Sequence, residues 1–372
     1  MRLFPNRPAC LTVGPFTEPW RDMTVNHWPD YYTSNAVVAV LLGLGGSALW
    51  RARRSEFARD FARRLIRRRM ATAAGIVFAV FVLIAVLDSI AWRDAEGGAD
   101  AVPEGIAVHQ ARTLIDRLFP PDFDEESYSA PLASTAFYGG RPLRHAGRHL
   151  LGTTIIGRDT LHQTLKGFRP AMMVGAFTTA IVLPIATVMG VLAGYYGRRI
   201  DDIVQYLYST LAAIPTILLL IALILVMGRG TIQVCVALGV TTWVGLCRLV
   251  RAETLKIREL DYVQAARALG LGHARILFRH IVPNLFHIVL ISSVLRFSSL
   301  VLNESILSYF GIGLDASFGA MIVLARDELA REPVIWWNLA AASTALFLLV
   351  LTANILGDAV RDLLDPRIRT GE

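Results

Sequence analysis

The chain is 372 residues long, 54% apolar and only 18% charged, with a mean hydropathy of +0.48. Soluble domains carry about 25% charged residues, so this balance excludes an ordinary soluble enzyme. The 37 Lys+Arg exceed the 30 Asp+Glu for a net charge of +7, which points either to nucleic acid or to a membrane surface, and the placement of that charge decides between them.

Residues 1–69 form an N-terminal extension with a short, glycine-rich apolar run at 35–50. A signal peptide carries its positive charges before the apolar core, whereas here they follow it. The run reads as an extra span that puts the N-terminus outside, with a dispensable upstream leader as the alternative. Behind it come Arg51, Arg53, Arg54, Arg59, Arg63, Arg64, Arg67, Arg68 and Arg69, opposed only by Glu56 and Asp60. Cations resist translocation, so this stretch is cytoplasmic. It abuts a membrane span directly and lacks any module with base-stacking or groove-entering elements. It therefore orients the chain and meets anionic membrane lipid, and no nucleic-acid partner is expected.

The apolar runs 70–92, 171–196, 203–227, 231–246, 285–307 and 339–355 follow. Most approach or exceed the roughly 20 residues that a helix needs to cross about 30 Å of hydrocarbon. They predict an all-α polytopic bundle of six core transmembrane helices, since an open sheet would leave backbone groups unpaired in lipid. Pro184 and Pro215 lie inside two of these runs and predict kinks. Counting from the arginine run, the turn 197–202 with Arg198 and Arg199 falls on the cytoplasmic side. So do the stretch 248–283 and, beyond Arg361, the tail 362–372 with Arg367 and Arg369. The same count places outside the segment 93–169, a turn at 228–230 and a loop at 308–338. Within 93–169, Asp122, Asp124, Glu125 and Glu126 read as a solvated acidic loop. His145 and His149 are separated by Gly147, which favours a loop, and no ligand role follows. The three cysteines, Cys10, Cys235 and Cys247, give neither a disulfide framework nor a metal box.

The cytoplasmic stretch 248–283 is the most informative. Asp261 to Leu269 reads as a short helix started by the acidic residue and stopped by Gly270, which can take the left-handed conformation. After Gly272 a second helix runs to His280, and Pro283 marks the start of the next span. Ala265 and Ala266 offer a low-profile surface that a groove on another protein can accept, with Arg267, Arg275 and Arg279 as rim contacts. An ordinary interfacial amphipathic hairpin is the plainer reading.

Gln264-Ala-Ala-x-x-x-Gly270 followed by Ile281-Val-Pro283 resembles the EAA loop of ABC importer permeases, the element that docks on the ATPase. The likeness is to the C-type permease subunit of dipeptide/oligopeptide importers. Supporting strings, in the same order, are Leu151-Gly-Thr-Thr-Ile-Ile-Gly-Arg-Asp159, Val191-Leu-Ala-Gly-Tyr-Tyr-Gly197, Arg279-His-Ile-Val-Pro-Asn284, Leu307-Ser-Tyr-Phe-Gly-Ile-Gly313 and Leu356-Gly-Asp-Ala-Val-Arg-Asp-Leu-Leu-Asp-Pro-Arg367. The resemblance implies a six-helix permease core, with residues 170–361 as its transport domain, in a bacterial inner membrane. It further implies a second homologous permease, two ATPase subunits and an extracytoplasmic solute-binding protein as partners. Nickel, glutathione, opines and antimicrobial peptides are alternative cargoes within the same family. In agreement, the chain has no phosphate loop, HExxH pair or nucleophile elbow, so no cofactor and no catalysis of its own are expected.

Three departures stand out. The motif's first acid is Gln264 here, so an ion pair at that spot is lost. Thr154 stands where an aspartate is expected, and 314–319 lacks the expected prolines. Arg296 lies in the middle of the run 285–307, where a charge costs at least about 2.5 to 3.5 kcal/mol. Glu304 is about 12 Å further along the axis, too far for a direct pair. Arg296 is either compensated by another helix or the partner permease, or it lines the translocation path with Glu304 and attracts a peptide carboxylate. Two other classes compete. An ion-gradient transporter predicts inverted repeats, broken helices and paired intramembrane acids, of which only Glu304 is evident; a membrane scaffold would keep the hairpin and conduct nothing.

Overall fold

A computed structural model describes residues 35, 56–92, 112–119, 123–332 and 334–364. Of the apolar run 35–50 only Asn35 is among them, so the extra span lies outside the described residues, as do Asp122 and the tail from residue 365.

Helix α1 (Glu56–Arg67) is arginine-rich and leads into α2 (Arg69–Ser89), the first long apolar helix. Two-residue strands β1 (Ala91–Trp92) and β2 (Arg112–Thr113) pair antiparallel, and α3 (Leu114–Leu118) follows. The side chain of Asn35 bonds both the N–H and the carbonyl of Ala91, which ties it to that end.

Helix α4 (Thr160–Tyr196) runs 37 residues without a break through Pro170 and Pro184. It begins eleven residues before the apolar run suggested, because Asp159 caps it by accepting from Leu161 and His162 N–H. The first turns carry His162, Lys166 and Arg169, and those polar residues hide the helix from a hydropathy reading. Pro215 does more than kink: α5 (Arg198–Ala213) and α6 (Thr216–Met227) meet there at 91°. The missing N–H and the fixed φ of proline end one helix and start the next. Likewise α7 (Thr231–Thr242) and α8 (Val244–Arg258) bend by 41° at Trp243.

The hairpin comprises α9 (Asp261–Ala268), α10 (His273–Ile276) and a π turn at Leu277–Ile281. The second arm does not stop at His280; it runs on into α11 (Val282–Tyr309), and residues 273–309 form one continuous helix. The π turn precedes Pro283, which has no N–H to give the carbonyl of Arg279. Helix α12 (Phe318–Leu329) occupies the loop at 308–338, and α13 (Trp337–Leu364) closes the chain. Among the described residues four helices are long and apolar enough to cross a membrane, and counting each bent pair as one span gives six.

Helix α4 is central, packed on α8, α7, α2 and α11. Gly190 and Gly194, a small-xxx-small pair, let α8 approach closely. A Cβ on Gly190 would lie 2.8 Å from the Cys247 carbonyl oxygen, and one on Gly194 2.6 Å from Thr254 Cβ. The core around this seam, with Val182, Ala186, Trp243, Leu246 and Val250, continues into Val263, Ile276 and Ile281 of the hairpin.

Candidate functional site: the hairpin, its attachment and the intramembrane charges

Helix α9 buries Val263 and Ala266, three residues apart, and leaves Asp261, Gln264 and Ala265 exposed. The paired alanines therefore split: Ala265 faces out and Ala266 packs inward. Leu260, not Asp261, is the N-cap, and Asp261 sits in the first turn, where a negative charge suits the helix dipole. Gly270, at φ +75°, ends α9. Its N–H bonds the Arg267 carbonyl and the Leu271 N–H bonds the Ala266 carbonyl, the paired bonds of a Schellman motif. The Gln264 amide donates to the Arg258 carbonyl (3.0 Å) and to Glu259 Oε2 (3.3 Å) at the end of α8, two acceptors that an ionised carboxylate in its place would have no proton to meet.

Arg275, Arg279 and Pro283 are exposed on the second arm. Arg267 is turned inward: its guanidinium lies 4.7 Å over the Tyr195 ring of α4, and its Nε is buried with no hydrogen-bond partner among the described residues. Tyr195 Oη is 2.9 Å from His273 Nδ1 on the other arm, and Arg258 Nη1 donates to the Gly194 carbonyl at 2.9 Å. Asn284 Nδ2 joins the start of α11 to Tyr262 Oη at 2.9 Å. The hairpin is thus stapled to the end of α4 through Tyr195. The exposed face also carries Leu269, 81% accessible, and Phe278, 76% accessible. Large apolar side chains exposed beside arginines suit contact with another protein or with membrane lipid. Sequence reasoning missed Tyr195, His273, Leu269 and Phe278; large apolar side chains at 269 and 278 in a basic stretch were the signal available for the last two.

Arg296 and Glu304 do not meet. Arg296 Nη1 donates to the Thr242 carbonyl at 3.0 Å, at the end of α7 where the chain bends. A helix C-terminus carries partial negative charge, which suits a guanidinium. Glu304 is 1% accessible. Its Oε1 accepts from Ser308 Oγ (2.6 Å), and that hydroxyl accepts from Leu314 N–H (2.9 Å), which pins the loop before α12. Its Oε2 has no partner among the described residues.

The end opposite the hairpin is held by two buried polar clusters. Glu125 is not solvated as expected: it accepts from Arg144 N–H (3.0 Å) and His145 N–H (2.8 Å). His149, also buried, has Nδ1 2.8 Å from Asp159 Oδ2 and Nε2 3.4 Å from Glu125 Oε1. Burial would lower the His149 imidazole, but the Asp159 and Glu125 carboxylates outweigh it and raise it. In the second cluster Glu328 accepts from Tyr128 Oη (2.9 Å) and Asn338 Nδ2 (2.7 Å). Thr160 Oγ1 donates to Asn338 Oδ1 (2.6 Å). Burial and Glu328 push the Tyr128 phenol up to about 12, so it stays a donor.

A family described as "Binding-protein-dependent transport system inner membrane component" matches residues 186–370. The dipeptide transport system permease protein DppC of Bacillus subtilis (strain 168) is 35% identical over 225 residues, 59% of this chain and 69% of that one. The oligopeptide transport system permease protein OppC of the same organism is 31% identical over 245 residues, 64% and 80% of the two chains. The glutathione transport system permease protein GsiD of Pectobacterium atrosepticum is 35% identical over 225 residues, 60% and 74%.

Proposed function

Because the chain belongs to the binding-protein-dependent transport system inner membrane components, as an ABC importer permease, we propose that it forms half of a translocation path for di- or oligopeptides. Its partners in this reading are a second homologous permease, two ATPase subunits and an extracytoplasmic solute-binding protein. The hairpin end, with Arg258, Arg275, Arg279 and Arg361, is the cytoplasmic side, where positive charge is retained. The observation that carries the reading is the attachment of the exposed hairpin to α4 through Tyr195, His273 and Arg267. A movement imposed on the hairpin reaches the central helix without a soft joint, and rigid-body motion of helices is how such transporters switch sides. Asp261, Gln264, Ala265, Gly270, Arg275, Arg279 and Pro283 form the ATPase-facing side of that lever. Peptides are assigned as cargo because the relatives are dipeptide and oligopeptide transport permeases. Reconstituting the chain with its genomic partners tests this. Peptide uptake should require ATP inside and the binding protein outside. Uptake driven by an ion gradient without ATP would overturn it.

A further inference from the structure

At the end opposite the hairpin, between residues 112–119 and 123–166 on one side and α12 with the loop before it on the other, lies a cleft of about 700 Å³. Its lining includes the apolar Ile156, Met321 and Leu324, which also line a smaller hollow of about 220 Å³ running along α12. Three cations, Arg112, Arg158 and Lys166, and three carboxylates, Asp116, Asp124 and Asp315, line the cleft. Asp116 and Lys166 are committed to each other at 2.6 Å, and His162 Nε2 adds a contact to Asp116 at 2.9 Å. Burial would raise the Asp116 carboxyl, but His162, Lys166 and Thr113 outweigh it and hold it well below the usual carboxylate range.

Arg158, Asp124 and Asp315 make no ion pair with any described residue. They sit on elements that are fixed from behind. Glu125 N–H bonds the Gly157 carbonyl at 3.0 Å, setting Asp124 and Arg158 on adjoining stretches of backbone. Asp315 belongs to the loop that Glu304 and Ser308 pin through Leu314. The cleft is therefore preformed, with unpaired groups of both signs sharing its lining with apolar side chains.

We propose that this cleft binds a short peptide with both termini free, directly on the permease. The peptide carboxylate pairs with Arg158, its ammonium with Asp124 and Asp315, and its side chains lie on Ile156, Met321 and Leu324. A simple anion or cation would meet as many repelling as attracting charges, whereas a dipolar ligand matches both. The volume lies in the range of small-ligand sites, about 300 to 1,000 Å³. The proposal rests on the reading of the cargo as peptide given above.

The test uses the assembled importer in lipid nanodiscs, without ATP and without the binding protein, titrated with trialanine by calorimetry. Trialanine should bind, and N-acetyl-trialanine amide, which lacks both charges, should bind at least about tenfold more weakly. Arg158→Gln and Asp315→Asn should each weaken trialanine by a similar factor, and both side chains are exposed, so the fold tolerates the change. No trialanine binding, with ATP-dependent uptake intact, would overturn the cleft and leave the transport reading standing. Equal binding of the blocked peptide would also overturn it. So would variants that lose affinity for the binding protein but keep affinity for trialanine, which would make the cleft a protein-docking surface. Trialanine binding without ATP-driven uptake would instead fault the transport reading alone.

Discussion

Tyr195, at the end of the central helix, reaches His273, on the far arm of the hairpin, with Oη 2.9 Å from Nδ1. The same ring carries the Arg267 guanidinium of the near arm at 4.7 Å. One phenol therefore fastens both arms of the hairpin to the central helix. Tyr195→Phe keeps the ring under Arg267 and removes only the hydrogen bond, worth about 1 kcal/mol. Uptake per ATP hydrolysed should fall by about fivefold in proteoliposomes while ATPase activity persists. Unchanged stoichiometry would mean that the hairpin is coupled elsewhere.

The seam between α4 and α8 depends on the absence of side chains at Gly190 and Gly194. A Cβ at Gly194 would meet the Arg251 carbonyl at 2.8 Å and Thr254 Cβ at 2.6 Å, atoms of backbone and of a buried residue that cannot swing away. Gly194→Val should force the helices apart at a cost of about 1 to 3 kcal/mol. The thermal midpoint of the purified protein in detergent should fall by several degrees. A Gly139→Ala control, where nothing lies within 4 Å of the added carbon, should fall less, by the strain of its positive φ alone.

The spans were legible in the sequence because apolar length is what a membrane demands. Their ends were not. Helix α4 starts at Thr160 under an Asp159 cap, and no hydropathy average registers a cap followed by His162 and Lys166. The hairpin's end at Gly270 was legible, since only the left-handed conformation explains glycine there. Its facing was not: Ala265 and Ala266 are alike in sequence, and only the packing of Val263 assigns one to the interior. Arg267 reads as a rim charge until Tyr195, 72 positions earlier in the chain, is known to lie beneath it. Glu125 and His149 share that difficulty, as their pairing spans 24 residues of loop. Broken helices, taken from sequence reasoning as a mark of ion-gradient transporters, occur here twice at Pro215 and Trp243. That criterion alone does not separate the classes.

The Glu125–His149–Asp159 cluster makes the segment 123–159 pH-sensitive in two directions. The His149 imidazole is raised above its ordinary 6.5, so its contribution is fully present below pH 6.5 and is lost as pH rises through the raised value. Burial would raise the Glu125 carboxyl, but hydrogen bonds from His145, Arg144 and His149 outweigh it and lower it. Its contribution is present above 4.5 and is lost as pH falls through the lowered value. Amide hydrogen exchange across residues 125–153, corrected for intrinsic pH dependence, should show greatest protection between pH 4.5 and 6.5. His149→Gln should remove the alkaline loss of protection. Persistence of that loss in the variant would assign it to another group.

Glu304 separates a structural from a transport role by the choice of substitution. Glu304→Gln keeps an oxygen that accepts from Ser308 and so keeps the loop held through the Leu314 N–H. Glu304→Ala removes that acceptor and leaves a space inside a close-packed bundle, at a cost of about 2 kcal/mol or more. If Glu304 serves to fix the loop carrying Asp315, the Gln variant should transport at close to the parent rate. The Ala variant should then lose protection from hydrogen exchange at residues 310–317 and lose uptake with it. A Gln variant that keeps the loop protected but no longer transports would show that the acid itself, not its hydrogen bond, is needed on the path.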